Sequence, residues 1–183
     1  MKTEKEKMIA GENYFSNDKE LVLERQNAKK ILHKLNVTEY VINKSSKQIL
    51  KQLLPNANKQ LYIEPPFHCD YGYNIYLGKN VYFNVNCVVL DGAKVTIGDN
   101  VFLGPGVQIY TATHPLDIVE RLKTETTKPV TIGNDCWIGG GSIILSGITI
   151  GNGCTIGAGS VVTKNIPDNS LAVGNPAKVI RKL

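Results

Sequence analysis

The sequence is short of the side chains that most often carry chemistry. Its 183 residues include 3 histidines, 4 cysteines, 1 tryptophan and 2 methionines. No two cysteines are spaced as CxxC, so neither a zinc ribbon nor a dithiol redox pair is on offer. No apolar run is long enough to span a membrane. The first residues, MKTEKEKMIAGENYF, are charged and then polar, without the apolar stretch of a signal peptide. A cytoplasmic protein is the expectation. Excess charge is scarce too: 21 Lys and Arg against 16 Asp and Glu leave a net charge of +5, scattered along the chain. That suits an anionic ligand without requiring one, and it gives no basic stripe for nucleic acid.

What is present is a repeat. Leu77, Phe83 and Val89 are six residues apart, and after a two-residue slip Ile97, Leu103 and Ile109 continue the series. After a break it resumes at Ile132, Ile138, Ile144, Ile150, Ile156 and Val162. Four places after most of these sits a small or β-branched residue: Val81, Cys87, Val101, Val107, Cys136, Ser142, Ile148, Cys154, Ser160 and Ile166. The template [LIV]-G-x-x-small-x makes each hexad a short strand and a turn. Three hexads close a triangular coil of eighteen residues, with the large aliphatic and the small residue both pointing inward. Glycine permits the tight corner, and coils stack about 4.8 Å apart. One coil buries little; stacking supplies the continuous core.

The expected architecture is mainly β. Residues 1–58 have helical periodicity, with a break at Asn43-Lys44-Ser45, and predict two or three amphipathic helices. Residues 59–166 form the parallel β-helix, beginning with an irregular, aromatic first coil. Residues 110–131 leave the coil as an extended loop, and 167–183, with Pro167 and Pro176, form a C-terminal tail outside the repeat.

The interruptions hold the candidates. A loop of about twenty residues is long for a compact domain, and long loops on rigid scaffolds often carry function. It opens with TATHP, so His114 stands at its root. Histidine is the side chain best suited to take a proton near neutral pH; the alternative is a surface or packing histidine. Cys87, Cys136 and Cys154 fall on inward small positions and read as buried free thiols. Cys69 lies outside the template beside His68, as a neighbour by chance or as a ligand. Trp137 occupies an outward position, as a contact or under a crossing chain. Thr163-Lys164 with Lys178, Arg181 and Lys182 make a basic end, either a solvated tail or a phosphate clamp.

The chain resembles the hexapeptide-repeat acyltransferases of the maltose and galactoside O-acetyltransferase group, nearly end to end. TEKEKMIAGENY, IEPPFHCDYGYNIYLG, IGDNVFLGPGVQIYTATHPLD, KPVTIGNDCWIGGGSIILSGITIG and GAGSVVTKNIPDNSLAVGNPAKVI carry the resemblance, with TATHP and GNPAKVI its most specific parts. It implies a left-handed helix. It implies acetyl-CoA as co-substrate, no metal, and a sugar acceptor of maltose or glucose type. It implies direct attack of a sugar hydroxyl on the thioester. His114 matches the general base and Asn84 a residue contacting acceptor and histidine. Gly140 matches a backbone oxyanion donor. Asp70 falls where the galactoside enzymes carry Ser, and so tunes the acceptor. Asp91, with Gly92 as rival, and Asp18, with Asn17 as rival, match acidic acceptor contacts. Coenzyme A would pass Trp137, Gly140, Ala158, Thr163 and Lys164, with Lys178 and Arg181 at its phosphates. The group forms homotrimers with active sites between subunits. A related acetyltransferase acting on a non-sugar hydroxyl, such as an antibiotic's, is the alternative.

Two further readings of a β-helix compete. A zinc hydro-lyase resembling the γ-class carbonic anhydrases needs three histidines on stacked coils; the repeat region has only His68 and His114. A non-catalytic ice-binding or scaffolding helix needs a regular threonine ladder, and Thr111/Thr113 and Thr124/Thr126 do not recur at eighteen.

Overall fold

The computed structural model of the chain describes residues 1–37 and 44–183. Among the described residues, three helices precede the coils. α1 (Glu4–Ala10) starts from a capping box: the Thr3 hydroxyl accepts from the Glu6 N–H, and the Glu6 carboxylate accepts from the Thr3 N–H. It stops at Gly11, whose φ of 73° lies in the left-handed region. α2 (Lys19–Val37) buries Leu21, Ala28, Leu32 and Leu35, the i, i+7, i+11, i+14 stripe of a helix face. In α3 (Lys44–Leu53), the residues Lys44 and Ser45 expected at a break open the helix, while Asn43 lies outside the described residues. No described helix is long and apolar enough to cross a membrane.

The coils then follow. β1 (Leu61–Ile63), β2 (Phe67–Cys69) and β3 (Ile75–Leu77) make the first, and β4 (Val81–Phe83), β5 (Cys87–Leu90) and β6 (Val95–Ile97) the second. The third begins with β7 (Phe102–Leu103) and β8 (Gln108–Tyr110). It leaves through β9 (Ala112–Thr113), α4 (Ile118–Arg121) and β10 (Thr126–Thr127), and closes with β11 (Val130–Ile132). β12 (Trp137–Ile138), β13 (Ile143–Ile144) and β14 (Thr149–Ile150) form the fourth, and β15 (Thr155–Ile156) and β16 (Val161–Val162) continue into a fifth. β17 (Ser170–Val173) stacks on β15, and β18 (Lys178–Lys182) turns back antiparallel along it. The tail therefore extends the solenoid instead of leaving it.

Three parallel sheets make the faces: β1-β4-β7-β12-β15-β17, then β2-β5-β8-β13-β16, then β3-β6-β11-β14. Every large and small template residue named from the sequence is buried. The stacking interval is not uniform. Tyr62 pairs with Tyr82 and Tyr82 with Phe102, twenty residues apart, whereas Trp137 pairs with Thr155 at the expected eighteen. The extra residues lie at one corner, between the second and third faces: Asp70–Asn74 in the first coil and Asp91–Lys94 in the second. In the third coil the loop leaves from that same corner. The apparent slip in the repeat is thus a column of widened turns.

The corner glycines act mainly through stacking. A Cβ on Gly98 would stand 2.8 Å from the Asn134 nitrogen, and one on Gly133 would stand 2.7 Å from the Asn152 nitrogen. The left-handed φ values fall two places after the template glycines, on Asn80, Asn100 and Asp135, residue types that tolerate that region, and on Gly106, Gly141, Gly153 and Gly159.

Candidate active site

Helices α1 and α2 pack over the widened corner. Met8, Tyr14, Leu21 and Tyr71 form a small buried cluster there, apart from the core of the coils, with Tyr73 against it. Between helix and corner lies a cavity of about 230 Å³, lined by Tyr14, Ser16, Asn17, Arg25, Asp70, Tyr71, Gly92, Ala112 and Glu125.

Its polar groups are held in place. Arg25 donates to the Tyr71 hydroxyl at 2.7 Å and to the Ser16 carbonyl at 2.6 Å. The Tyr14 hydroxyl donates to Glu125 at 2.9 Å, and the two backbones bridge, so the loop is tied to the N-terminal segment. Burial, with Glu125 beside it, pushes the Tyr14 hydroxyl well above its ordinary value. Burial likewise raises Tyr71 to about 12, against the pull of Arg25. The Asp70 carboxyl is raised by burial, Arg25 partly offsetting it. Among the described residues no side-chain hydrogen bond reaches the Asp70 carboxylate. It remains an open acceptor facing the cavity.

Two residues expected at the acceptor do not line this cavity. Asp91 is fully buried behind the wall, and the rival Gly92 lines the cavity. Asp18 caps α2, accepting from the Glu20 N–H at 2.9 Å, and Asn17 lines the cavity. In both cases the neighbouring backbone amides capture the carboxylate.

The remaining expected residues fall on two different corners. Asn84, Gly140 and Ala158 lie in turns between the first and second faces. Gly140 stacks against Gly104 and accepts from the Gly159 N–H at 2.9 Å. His114, exposed just beyond β9, lies with Asp70 on the corner between the second and third faces, and the exposed Thr163 and Lys164 lie further along it. Trp137 is 58% exposed on the first face, and Lys178 and Arg181 are exposed on β18 at that sheet's edge. Within one chain, therefore, His114 does not meet Asn84.

The cysteines are inert in this frame. Cys69, Cys87, Cys136 and Cys154 are buried and free. Cys69 points inward and pairs with Val89, whereas His68 is exposed on the opposite face of the same strand, so the two do not converge. No group of three or more potential metal ligands occurs among the described residues.

Arg25, Tyr14, Tyr71 and Glu125 did not emerge from the sequence. Arg25 had a readable signal: it is four residues after Leu21 and three before Ala28, on the apolar stripe of α2, where a charge is out of place. The other three depend on the loop and the N-terminal segment meeting, which no local pattern encodes.

Comparison with known proteins completes the picture. The maltose acetyltransferase hexapeptide capping motif matches residues 7–57, and the bacterial transferase hexapeptide model matches residues 129–164. The structure of a maltose O-acetyltransferase from Clostridium difficile 630 is 51% identical, covers 100% of this chain and 98% of its own, and superposes with a TM-score of 0.97. A galactoside acetyltransferase in complex with coenzyme A is 34% identical over 100% of this chain and 92% of its own, with a TM-score of 0.95. A hexapeptide-repeat acetyltransferase of Vibrio cholerae complexed with acetyl coenzyme A is 35% identical over 100% and 99%, with a TM-score of 0.87. A solenoid of this register, capped by these helices and related over its whole length to such enzymes, belongs to the maltose and galactoside acetyltransferase family of hexapeptide-repeat proteins, and it is an acyltransferase.

Proposed function

We propose that this protein transfers the acetyl group of acetyl-CoA to a hydroxyl of a sugar of maltose or glucose type. His114 takes the hydroxyl proton as the oxygen attacks the thioester carbonyl. Asn84 contacts histidine and acceptor. The Gly140 N–H, which takes no hydrogen-bond partner among the described residues, donates to the oxyanion. Coenzyme A leaves as the thiol, so no acyl-enzyme and no metal are needed. The structures of relatives holding coenzyme A and acetyl coenzyme A support the co-substrate.

The observation that carries the reading is the cavity beside the loop root. Asp70, Glu125, Asn17 and Arg25 place acceptors and donors around a space of about 230 Å³, the mixture that a polyhydroxyl ring needs. Ala112, on the same wall, is two residues from His114.

The site is completed by a second copy in a homotrimer. The two sets of residues lie on adjacent corners of one triangular prism, so a neighbour's corner must supply Asn84, Gly140 and Ala158 to the His114 corner. Coenzyme A then runs past Trp137 and Ala158, with Thr163 and Lys164 along its arm and Lys178 and Arg181 at its phosphates. The loop exposes large apolar side chains: Leu116 is 95% and Leu122 84% accessible in the single chain, as expected of surface awaiting a partner.

The test is thiol release from acetyl-CoA with a panel of sugars. Wild type is expected to release thiol in a sugar-dependent way, and His114→Ala to lose about 10²–10⁴-fold in rate. No sugar-dependent release, or undiminished release by His114→Ala, overturns the proposal.

A further inference from the structure

Asp91 is the only charged side chain that is fully buried among the described residues. A buried carboxylate is costly unless it is well hydrogen-bonded, and an aliphatic side chain would fill a coil corner more cheaply. Here the carboxylate is surrounded by donors. One oxygen accepts from the Asp70 N–H at 3.0 Å and the Tyr71 N–H at 2.9 Å. The other accepts from the Gly72 N–H at 2.7 Å and the Asn74 N–H at 3.3 Å. The Asn74 side chain returns the contact, donating to the Asp91 carbonyl at 2.7 Å. The whole turn Asp70–Asn74, in the coil beneath, is thus wrapped around one side chain.

The column continues upward. The Thr111 hydroxyl donates to the Leu90 carbonyl at 2.6 Å and accepts from the Ala93 N–H at 3.0 Å. Thr111 is followed directly by Ala112, on the cavity wall, and three residues later comes His114. Opposite it, the Thr127 hydroxyl at the end of the loop donates to the Met8 carbonyl of α1 at 2.5 Å. Asp91, Thr111 and Thr127 are all fully buried. They connect the turn carrying Asp70 and Tyr71, the root of the His114 loop, and α1, whose Met8 is buried with the cavity-lining Tyr14 and Tyr71.

We infer that Asp91 is a positioning residue: through the Asp70–Asn74 amides and the Thr111 column it sets the distance between the acceptor-binding wall and the His114 loop. It touches neither substrate nor reacting atoms. The extra residues occur where this column stands, and the fourth coil, which lacks them, joins β13 to β14 through an ordinary corner at 145–148. Asp91 therefore secures a departure from the repeat that serves the site rather than the solenoid. The inference rests on the acceptor reading above.

The test uses full-length Asp91→Asn and Thr111→Val. The amide of the first turns one acceptor oxygen into a donor facing N–H donors; the second removes only the hydroxyl of a buried side chain. Two readouts are taken: amide hydrogen exchange at 70–74, and initial rates with maltose or glucose and acetyl-CoA. The expected result for Asp91→Asn is exchange at 70–74 faster by about tenfold or more, with the coil strands unchanged. Both variants should raise the acceptor KM by about tenfold, with the acetyl-CoA KM and acceptor-free thiol release within about twofold. A lower melting temperature with acceptor KM unchanged would make the column merely structural and overturn the inference. If Asp91→Asn fails to fold, Thr111→Val decides by the same KM comparison. If wild type acetylates neither sugar, the acceptor reading fails instead, and unaltered exchange at 70–74 in Asp91→Asn still overturns the inference.

Discussion

Burial sets the chemistry of the cysteines. The thiols of Cys87 and Cys136 are pushed up to about 11, chiefly because their anions would lose solvation inside the coils. Cys69 is raised for the same reason, with Asp91 and Asp70 adding to it. A raised value means that the fold keeps the proton longer than the unfolded chain. The contribution to stability is whole below the ordinary value near 9 and is lost as pH rises through about 11. At pH 8 the folded protein should therefore react negligibly with a thiol reagent such as dithionitrobenzoate, and all 4 thiols should titrate once it is unfolded. A fast-reacting native thiol would contradict their placement. Position in the hexad disclosed Cys87, Cys136 and Cys154; Cys69 was hidden because its coil departs from the template. Arg25 went unread, although a charge on the apolar stripe of α2 was the signal for it. That Gly92 and Asn17, and not Asp91 and Asp18, line the cavity was not legible, since whether backbone amides capture a carboxylate depends on turn geometry that spacing does not report.

At the scale of elements, the repeat identifies the inward positions correctly because each is fixed by local alternation and by contact with the next coil. The stacking interval was harder. Two extra residues at a corner look like a slip, yet here they recur in successive coils and build one wall of the cavity. The final strands were also masked: Pro167 and Pro176 end the hexads, but Leu171 still pairs with Thr155 and Ala172 with Ile156. The stacking account separates two kinds of glycine. In Gly133→Ala the added Cβ meets the Asn152 nitrogen at 2.7 Å, whereas at Gly106, with φ of 66°, it meets nothing within 4 Å. Gly133→Ala is expected to cost about 2–3 kcal/mol by overpacking a backbone that cannot yield. Gly106→Ala should cost about 1 kcal/mol from the left-handed backbone alone. Denaturant unfolding compares them, and equal losses would show that corner conformation, not coil contact, is what those glycines serve.

At the scale of the whole molecule, the proposed reading leaves the single chain with two incomplete half-sites on adjacent corners. A cyclic assembly joins the second corner of each copy to the first corner of the next and leaves none unused. The exposed Phe102 and Trp137, side by side on neighbouring strands of the first face, and the apolar loop tip are the surfaces such an assembly would use. Mixing inactive variants tests this directly. His114→Ala and Asn84→Ala should each be inactive as homotrimers. In hybrids, one interface in each trimer draws His114 from one copy and Asn84 from its neighbour. Co-refolded mixtures in equal amounts should therefore recover roughly a quarter of the wild-type rate of sugar-dependent thiol release. Hybrids no more active than either parent would contradict a site shared between copies, and with it the account of how this solenoid brings its histidine to the acceptor.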